Sequence, residues 1–433
     1  MKIIIPLLIV LIVLCPVMLY FLSSAPTVTV ESPPAVIGAE TPIKLKIESP
    51  HGVRSVTATI EQNGAHYTVF ERSEPPSRLM FWRRHHTPAE VSFPVGRKTT
   101  PALKDGKAKL QISAQSNDLR ALAASREIEV EVISAPPKIS ADGFQHYINQ
   151  GGSELAVATI SGYWTDAGVR VGPYTFRTFR LPGSKTDHFS LFAFPWDLPP
   201  DSVPIFFAKN QGVESTARFW YKVFPKKFRS RDLEIDDVFL EKVVNQIEPG
   251  GSGDLLTRFL KINGELRKKN NQTLADLRLK TADHFLWKGP FLQLANSKVE
   301  SQFADKRSYI YKGKKVDEQV HLGFDLSVTQ HVSVQSANDG KVVYADDLGI
   351  YGNCVVVDHG YGLQSIYAHL SKIDVKPGDM VTKGQSLGHS GSTGLAGGDH
   401  LHYSMQVGGV QVNPVEWWDD HWIQDRIRTK LPN

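Results

Sequence analysis

The sequence has almost no cysteine. Only Cys15 and Cys354 occur in 433 residues, one in an apolar run near the N-terminus and the other in a short apolar segment far along the chain. Two cysteines placed in this way provide no disulfide framework. The simplest role for Cys354 is that of a small buried apolar side chain. The fold must therefore be stabilised by its hydrophobic cores.

An excess of one charge is nearly absent as well. The chain has 49 lysines and arginines against 45 acidic residues, a formal net charge of +4. So small an excess, without a recognised nucleic-acid-binding motif, predicts no nucleic-acid partner. The sequence also lacks a His-Glu-x-x-His helix and a Gly-x-Ser-x-Gly nucleophile elbow. These absences exclude two large classes of hydrolase.

Long apolar runs are missing everywhere except at the N-terminus. The twenty residues from Ile3 to Leu22 carry no charge. That is long enough to cross a bilayer and longer than the apolar core of an ordinary signal peptide. We therefore predict a transmembrane anchor in residues 1–25, with a cleaved signal ending near Ala25 as the alternative. Lys2 precedes the run, which predicts a cytoplasmic N-terminus and an exported remainder.

A chain of this length is expected to form about three domains, and its patterns predict a mainly β protein. Residues 26–135 and 136–226 each show short alternating segments separated by turns, such as Ile43–Ile47, and each predicts an immunoglobulin-like β-sandwich. Residues 227–290 change to helical spacing, and residues 291–433 return to short strands joined by glycine-containing turns, which predict a catalytic domain.

The helical spacing of residues 227–290 predicts three helices. Apolar residues at steps of three and four predict an amphipathic first helix; they are Ile235, Val238, Phe239, Val243 and Ile247. Asp254 is predicted to cap a second helix, and Thr273 a third, short one. We consider the hypothesis that this segment restricts access to the catalytic cleft, because it directly precedes the catalytic domain.

Three histidine motifs follow in the last third of the chain. They are His321-Leu322-Gly323-Phe324-Asp325, Tyr367-Ala368-His369-Leu370 and His400-Leu401-His402. His400 and His402 would share one face of a strand. On a straight strand His321 and Asp325 would lie ~13 Å apart, too far for one metal ion, so the chain must bend, and Gly323 is the residue that permits it. Two histidines and one carboxylate, with a position left for water, are typical of a catalytic zinc site.

In these motifs and the turns between them, from about Ser301 to about Trp418, the chain resembles the lysostaphin/LytM-type zinc metallopeptidases. The resemblance implies an antiparallel β-domain with an open groove and one zinc ion per chain. It implies that His321, Asp325 and His402 bind the zinc. It also implies that His369 and His400 handle the water and the transition state, and it leaves open which of them is the general base. The implied activity is hydrolysis of the peptide cross-links of bacterial peptidoglycan.

Two other functions are compatible with the same sequence. Some relatives have lost metal ligands and serve as non-catalytic activators or wall-binding modules, although this chain retains all five residues. In the third interpretation the two β-sandwiches are the functional part, and the chain is a membrane-tethered interaction protein. The predicted partners are peptidoglycan peptides, the membrane through the N-terminal helix, and a protein regulator; the sequence indicates no oligomeric state.

Overall fold

The structure is a computed structural model that describes Leu14, residues 16–76 and residues 89–431. It is mainly β, as predicted, and it divides into two compact units. One unit comprises the described residues up to Lys138 with Ser161–Asp166 and Ala208–Ser215; the other comprises Ile139–Ile160, Ala167–Phe207 and the described residues from Thr216 onward. Residues 16–22 are helical, but most of the predicted anchor lies outside the described residues. Among the residues that are described, no helix is both long and apolar enough to span a membrane.

The N-terminal region contains two sheets around one hydrophobic core. One sheet has the order β1-β3-β6 and the other the order β2-β8-β7-β4-β5. In β3 the side chains of Ile43, Leu45 and Ile47 are buried while the lysines between them are exposed, which is the alternation expected of a strand with one face on a core. The strands are β1 Thr27–Val30, β2 Val36–Ile37, β3 Thr41–Glu48, β4 Val53–Gln62, β5 Ala65–Ser73, β6 Ala89–Val95, β7 Gly106–Ser116 and β8 Ala123–Val132.

The next ten strands form two four-stranded sheets and one parallel pair. The sheets have the orders β14-β15-β11-β9 and β13-β12-β16-β17, and β10 pairs with β18. The strands are β9 Lys138–Ala141, β10 His146–Asn149, β11 Ser153–Ser161, β12 Asp166–Val171, β13 Tyr174–Arg177, β14 Phe179–Arg180, β15 Asp187–Ala193, β16 Pro204–Asn210, β17 Val213–Ala217 and β18 Tyr221–Phe224.

The segment predicted to be helical begins with a strand, β19 Ser230–Ile235, and only then becomes helical. Helix α1 (Asp237–Ile247) buries Leu240, Val243 and Val244, whereas Val238, which was predicted to lie on the buried face, is 75% exposed. That prediction was wrong because the helix begins two residues after Ile235, which belongs to β19. Helix α2 (Leu255–Lys261) begins as predicted, with the Asp254 carboxylate accepting a hydrogen bond from the backbone N–H of Thr257.

The prediction of a third, separate helix capped by Thr273 was also wrong. Helix α2 continues through a π-helical turn (Ile262–Leu266) into α3 (Arg267–Asp276) and a 3-10 turn (Leu277–Leu279), so Thr273 lies inside a helix. Its hydroxyl donates to the carbonyl oxygen of Lys269 at 3.1 Å. A threonine hydroxyl has this alternative partner four residues earlier in a helix, so its presence does not by itself mark a helix start.

The C-terminal region is built on an antiparallel sheet with the strand order β20-β23-β31-β27-β26-β25-β29, with β32 also paired to β31. The four strands predicted here, near residues 341, 354, 363 and 401, are all present. The strands are β20 Lys298–Ser301, β21 Asp305–Tyr311, β22 Lys314–His321, β23 Phe324–Ser327, β24 Ser333–Gln335, β25 Gly340–Asp347, β26 Asn353–Asp358, β27 Leu363–Leu370, β28 Lys372–Ile373, β29 Met380–Val381, β30 Ser386–His389, β31 Leu401–Val407 and β32 Val410–Val412.

Two smaller sheets, β19-β21-β22 and β24-β30-β28, complete this region. It ends in two short helices, α4 (Val415–Trp418) and α5 (Asp420–Arg426), and it also contains 3-10 turns at Gly349–Tyr351 and Arg428–Lys430. The buried carboxylate of Glu416 in α4 accepts hydrogen bonds from the Asn149 side chain and from the backbone and hydroxyl of Ser153. Nearby, the Lys430 ammonium lies 2.6 Å from the Glu154 carboxylate, and both side chains are buried.

Candidate metal centre

Strand pairing and a change of sheet place the three predicted ligands together. Asp325 on β23 is the direct antiparallel partner of His402 on β31, and Ala368 on β27 pairs with His402 from the other side. His321 is the last residue of β22, which belongs to a different sheet. The chain leaves one sheet at His321 and enters the next at Phe324, and this change of sheet is the bend that the sequence required.

The ligand atoms form a small triangle. Nε2 of His321 lies 2.9 Å from Oδ1 of Asp325 and 2.9 Å from Nδ1 of His402, and that Nδ1 lies 3.1 Å from the same Oδ1. In a tetrahedral zinc site with bonds of ~2.0 Å, ligand atoms lie ~3.3 Å apart. A shift of a few tenths of an ångström would open this triangle to that spacing. Imidazole nitrogens and carboxylate oxygens are also common zinc ligands, so the residues fit the ion.

Gly323 is needed here for space, and the expected reason was wrong. Its φ angle is outside the left-handed region, so the turn does not require a glycine conformation. A Cβ atom at this position, however, would lie 2.7 Å from both Cε1 and Nε2 of His402. Side-chain atoms do not approach so closely without displacement. The backbone at Gly323 therefore leaves room for a ligand ring.

Backbone carbonyl groups orient three of the imidazoles. Nδ1 of His321 lies 3.0 Å from the carbonyl oxygen of Gln302, Nδ1 of His369 lies 2.8 Å from that of Thr393, and Nδ1 of His400 lies 2.9 Å from that of Gly398. A nitrogen facing a carbonyl oxygen must carry the hydrogen. The lone pair of each neutral ring is therefore on Nε2. In His321 this is the nitrogen that faces Asp325 and His402.

His369 and His400, predicted to act on the water, lie beside the ligand triangle. Their ring centroids are 4.9 Å apart, and the His369 ring is 5.8 Å from that of His402. Nε2 of His400 is 3.4 Å from Oδ1 of Asp325. His369 has a φ of 62°, in the left-handed region, which costs of order 1–2 kcal/mol for a residue with a Cβ. Such strain is commonly found where a side chain must be aimed at a site.

Burial and mutual charge set the protonation states of the centre. Burial lowers the pKa of His321 to about 4 and also lowers the pKa of His402. The pKa of His369 is lowered by burial and by the charges of His400 and His402. Burial acts against ionisation of Asp325, but the surrounding imidazoles of His321, His400 and His402 outweigh burial and keep the pKa of Asp325 well below its usual range. Neutral imidazoles and an ionised carboxylate are the forms that bind a metal ion.

His400 differs from the other histidines. Burial acts to lower its pKa, but the hydrogen bond and charge of Asp325 outweigh burial and raise the pKa above the ordinary value. His359, which the motifs left unassigned, has an ordinary structural role. It is fully buried with both nitrogens bonded, one to the carbonyl oxygen of Asp339 and the other to the hydroxyl of Ser365.

The centre lies in an open groove whose other walls the motifs did not reveal. Strand β19 and helix α1 form one wall, and the loop at Leu395–Gly397 lies against them. Nζ of Lys242 on α1 is 3.1 Å from the carbonyl oxygen of Gly397. The lining residues outside the motifs are Arg231, Leu233, Glu234, Ile235, Phe239, Arg267, Glu300, Ser301, Arg307, Tyr309, Ile350, Tyr351, Leu395, Ala396 and Gly397.

Sequence reasoning also missed Arg307. Its Nη2 donates a hydrogen bond of 2.6 Å to Oδ2 of Asp325, the carboxylate oxygen that does not face the histidines. Arg307 lies in β21, upstream of the histidine motifs, and its neighbours carry no recognisable pattern. Only the pairing of β21 with β22, which places Asp305 opposite His321, brings this strand to the site.

Comparison with known proteins identifies the region that contains the centre. The sequence profile of Peptidase family M23 matches residues 319–414. This range lies within the stretch from about Ser301 to about Trp418 in which the motifs occur, and it includes all five predicted site residues. The match confirms that this region is homologous to the lysostaphin/LytM-type peptidases.

Individual relatives share this region. The chain is 38% identical to the DD-carboxypeptidase/endopeptidase Mpg of Neisseria meningitidis over 97 residues, which are 22% of this chain and 22% of the relative. It is 30% identical to the peptidoglycan DD-endopeptidase ShyA of Vibrio cholerae over 189 residues, 43% of this chain and 40% of that protein. The catalytic domain of lysostaphin from Staphylococcus simulans is 29% identical, with 28% of this chain and 92% of that domain covered and a TM-score of 0.25. The chain thus spans less than half the length of both curated relatives.

Proposed function

We propose that this chain is a zinc endopeptidase that cuts peptide cross-links of bacterial peptidoglycan. The proposal starts from the finding that residues 319–414 are a Peptidase family M23 domain homologous to the lysostaphin-type peptidoglycan endopeptidases. The relatives Mpg and ShyA are named for DD-bond cleavage. A cross-link through a D-amino acid is therefore the substrate that we propose. The protein would act outside the cytoplasmic membrane, where peptidoglycan lies.

The observation that carries the proposal is the convergence of three ligand atoms within about 3 Å of one another, on His321, Asp325 and His402. A buried cluster of this composition is unfavourable unless its groups are paired with one another or with an ion. Its donor set is that of a catalytic zinc site, because three protein ligands leave a fourth position available.

When bound, zinc would supply a Lewis acid for the scissile carbonyl group and would lower the pKa of a water molecule toward ~7. His369 and His400 supply the proton chemistry. Their Nδ1 atoms are held by backbone carbonyl groups, so each presents Nε2 as the functional nitrogen. One ring accepts a proton from the attacking water and later delivers it to the leaving amine, a role worth ~10²–10⁴-fold in rate. The other stabilises the developing negative charge.

The main alternative is a non-catalytic activator or wall-binding protein of the same fold. Such a protein has no need of a complete ligand set or of two further histidines beside it. Zinc content discriminates between the two, since the enzyme is expected to hold about one zinc ion per chain and an activator need hold none.

The test combines metal analysis with digestion of purified cross-linked muropeptides. His321→Ala and His402→Ala are expected to lose both zinc and hydrolysis, whereas His369→Ala is expected to keep zinc and lose hydrolysis. His421→Ala is the matched control, because this histidine is exposed on helix α5 and does not line the groove. Full activity in the first two variants would refute the zinc assignment. Zinc binding by the unaltered chain without any hydrolysis would favour the activator.

We propose further that helix α1 restricts entry of large substrates into the groove. Phe239 lines the groove, and the Lys242 ammonium reaches across to the carbonyl oxygens of Ala396 and Gly397 at 3.4 and 3.1 Å. Deleting residues 229–290 would also remove strand β19, which pairs with β21 beside the centre. A single substitution is therefore the sharper test.

Lys242→Ala is expected to increase hydrolysis of intact peptidoglycan while leaving hydrolysis of a small cross-linked peptide unchanged. Lys261→Ala, which removes an exposed lysine from the end of α2, is the control. Equal rates on both substrates for the variant and the unaltered chain would refute the restriction.

The N-terminal membrane anchor remains a prediction. Fractionation of cells that produce the full chain, with and without residues 1–25, would test it.

A further inference from the structure

Arg307 is a charged residue that contacts the centre and has no assigned role. It lies in the middle of β21, between β19 and β22, and its side chain is 18% exposed. Its Nη2 donates to Oδ2 of Asp325 at 2.6 Å. Its Nε is buried and, among the described residues, has no hydrogen-bond partner. A buried N–H group without a partner costs ~1–3 kcal/mol, so this placement is not one that stability alone would favour.

The two oxygens of the Asp325 carboxylate have different partners. Oδ1 faces the histidines, at 2.9 Å from His321 and 3.1 Å from His402, and Oδ2 is taken by Arg307. A hydrogen bond between a guanidinium and a carboxylate is stronger than one between neutral groups and restricts rotation of the carboxylate. Without it, the carboxylate is free to turn and present both oxygens to an ion.

We propose that Arg307 is a positioning residue that restricts Asp325 to one ligand oxygen and so preserves a coordination position for water and substrate. This proposal rests on the proposed function. Groups that hydrogen-bond to metal ligands commonly orient them, and their loss typically costs 10–100-fold in affinity or activity. The cation also repels a divalent metal ion, so its presence beside a ligand is more readily explained by orientation than by tighter metal binding.

The test is Arg307→Met, which keeps much of the side-chain length and removes the hydrogen bond. The variant is expected to keep about one zinc ion per chain while kcat falls by about 10- to 100-fold and KM changes less. Loaded with Co²⁺, it is expected to show a visible absorption spectrum different from that of the unaltered chain, because that spectrum reports the number and geometry of the ligands. Arg307→Lys, which keeps the charge and one donor, is expected to restore part of kcat and to shift the spectrum less.

Arg231→Met is the matched control. Arg231 is the neighbour of Arg307 in the strand register and lines the same groove. It donates to the carbonyl oxygen of Glu300 at 2.7 Å and to the hydroxyl of Ser301 at 3.2 Å, away from Asp325. The Arg231→Met variant therefore measures the effect of losing one positive charge from the groove while the contact to Asp325 is kept. Its Co²⁺ spectrum is expected not to change.

Two results would overturn the positioning role. One is an unchanged Co²⁺ spectrum and kcat in Arg307→Met; the other is a rise in KM alone, which would make Arg307 a substrate-binding residue. If Arg307→Met fails to fold, Arg307→Lys decides, since an unchanged spectrum and kcat there would also overturn the proposal. An unaltered chain that holds no metal would instead refute the proposed function, and the positioning role with it.

Discussion

Replacing Glu416 by glutamine is expected to remove a large part of the pH dependence of folding stability. The Glu416 side chain is buried on α4 and accepts hydrogen bonds from the Asn149 amide at 2.8 Å and from the backbone N–H of Ser153 at 2.8 Å. Burial raises the pKa of Glu416 to about 7, and these hydrogen bonds offset only part of the effect. Glutamine has nearly the same shape and can keep hydrogen bonds at this site without ionising.

The direction in which folding stability changes with pH follows from the raised pKa of Glu416. The ordinary pKa of this carboxyl is 4.5 and the folded value is about 7, so between these limits the unfolded chain has released the proton while the folded chain still holds it. Stability then falls as the pH rises through this window. One pKa unit corresponds to ~1.4 kcal/mol, so the full window is worth about 3 kcal/mol, of which about 2.5 kcal/mol is lost between about pH 5 and about pH 8.

The assay is denaturant unfolding of the unaltered chain and of Glu416→Gln at about pH 5 and about pH 8, with a chelator present to remove metal-linked effects. Other groups also titrate in this range, but they are common to both proteins. The change in unfolding free energy between the two pH values, compared between the variant and the unaltered chain, therefore isolates the contribution of Glu416. The variant is expected to gain about 2 to 3 kcal/mol relative to the unaltered chain on going to the higher pH. An equal pH dependence in both proteins would refute the reasoning and would mean that Glu416 is ionised in the folded state.

Two further predictions concern the peptidase domain. Gly323→Ala is expected to weaken zinc binding by tenfold or more, because the new Cβ would lie 2.7 Å from the His402 ring; a chelator competition measures this, and unchanged affinity would contradict the steric explanation. Cys354 is fully buried, and burial raises the pKa of its thiol well above the ordinary value. In a Cys15→Ser variant a thiol reagent is therefore expected to react only after denaturation, and prompt reaction of the folded chain would show that the site opens.

Several features were determined by short stretches of sequence. The alternation of Ile43, Leu45 and Ile47 predicted a strand because every second side chain of a strand faces the same side. Asp254 predicted a helix start because its side chain accepts a hydrogen bond from an N–H group within the next turn. His400 and His402 were predicted to lie on one face of a strand because residues two apart in a strand do so. In each case the physical cause acts within a few residues, so the local sequence contains it.

Other features were decided only by the tertiary structure. Arg307 reaches Asp325, and Glu416 reaches Ser153, across 18 and 263 positions of the chain. Thr273 was predicted to start a helix, but the helix begins earlier and continues through Thr273, because buried residues such as Leu274 on α3 hold it in place. Gly323 was expected to permit a bend, yet what it provides is space for a ring from a neighbouring strand. Strand pairing and side-chain packing bring distant residues together, and a local pattern contains no record of which residues will meet.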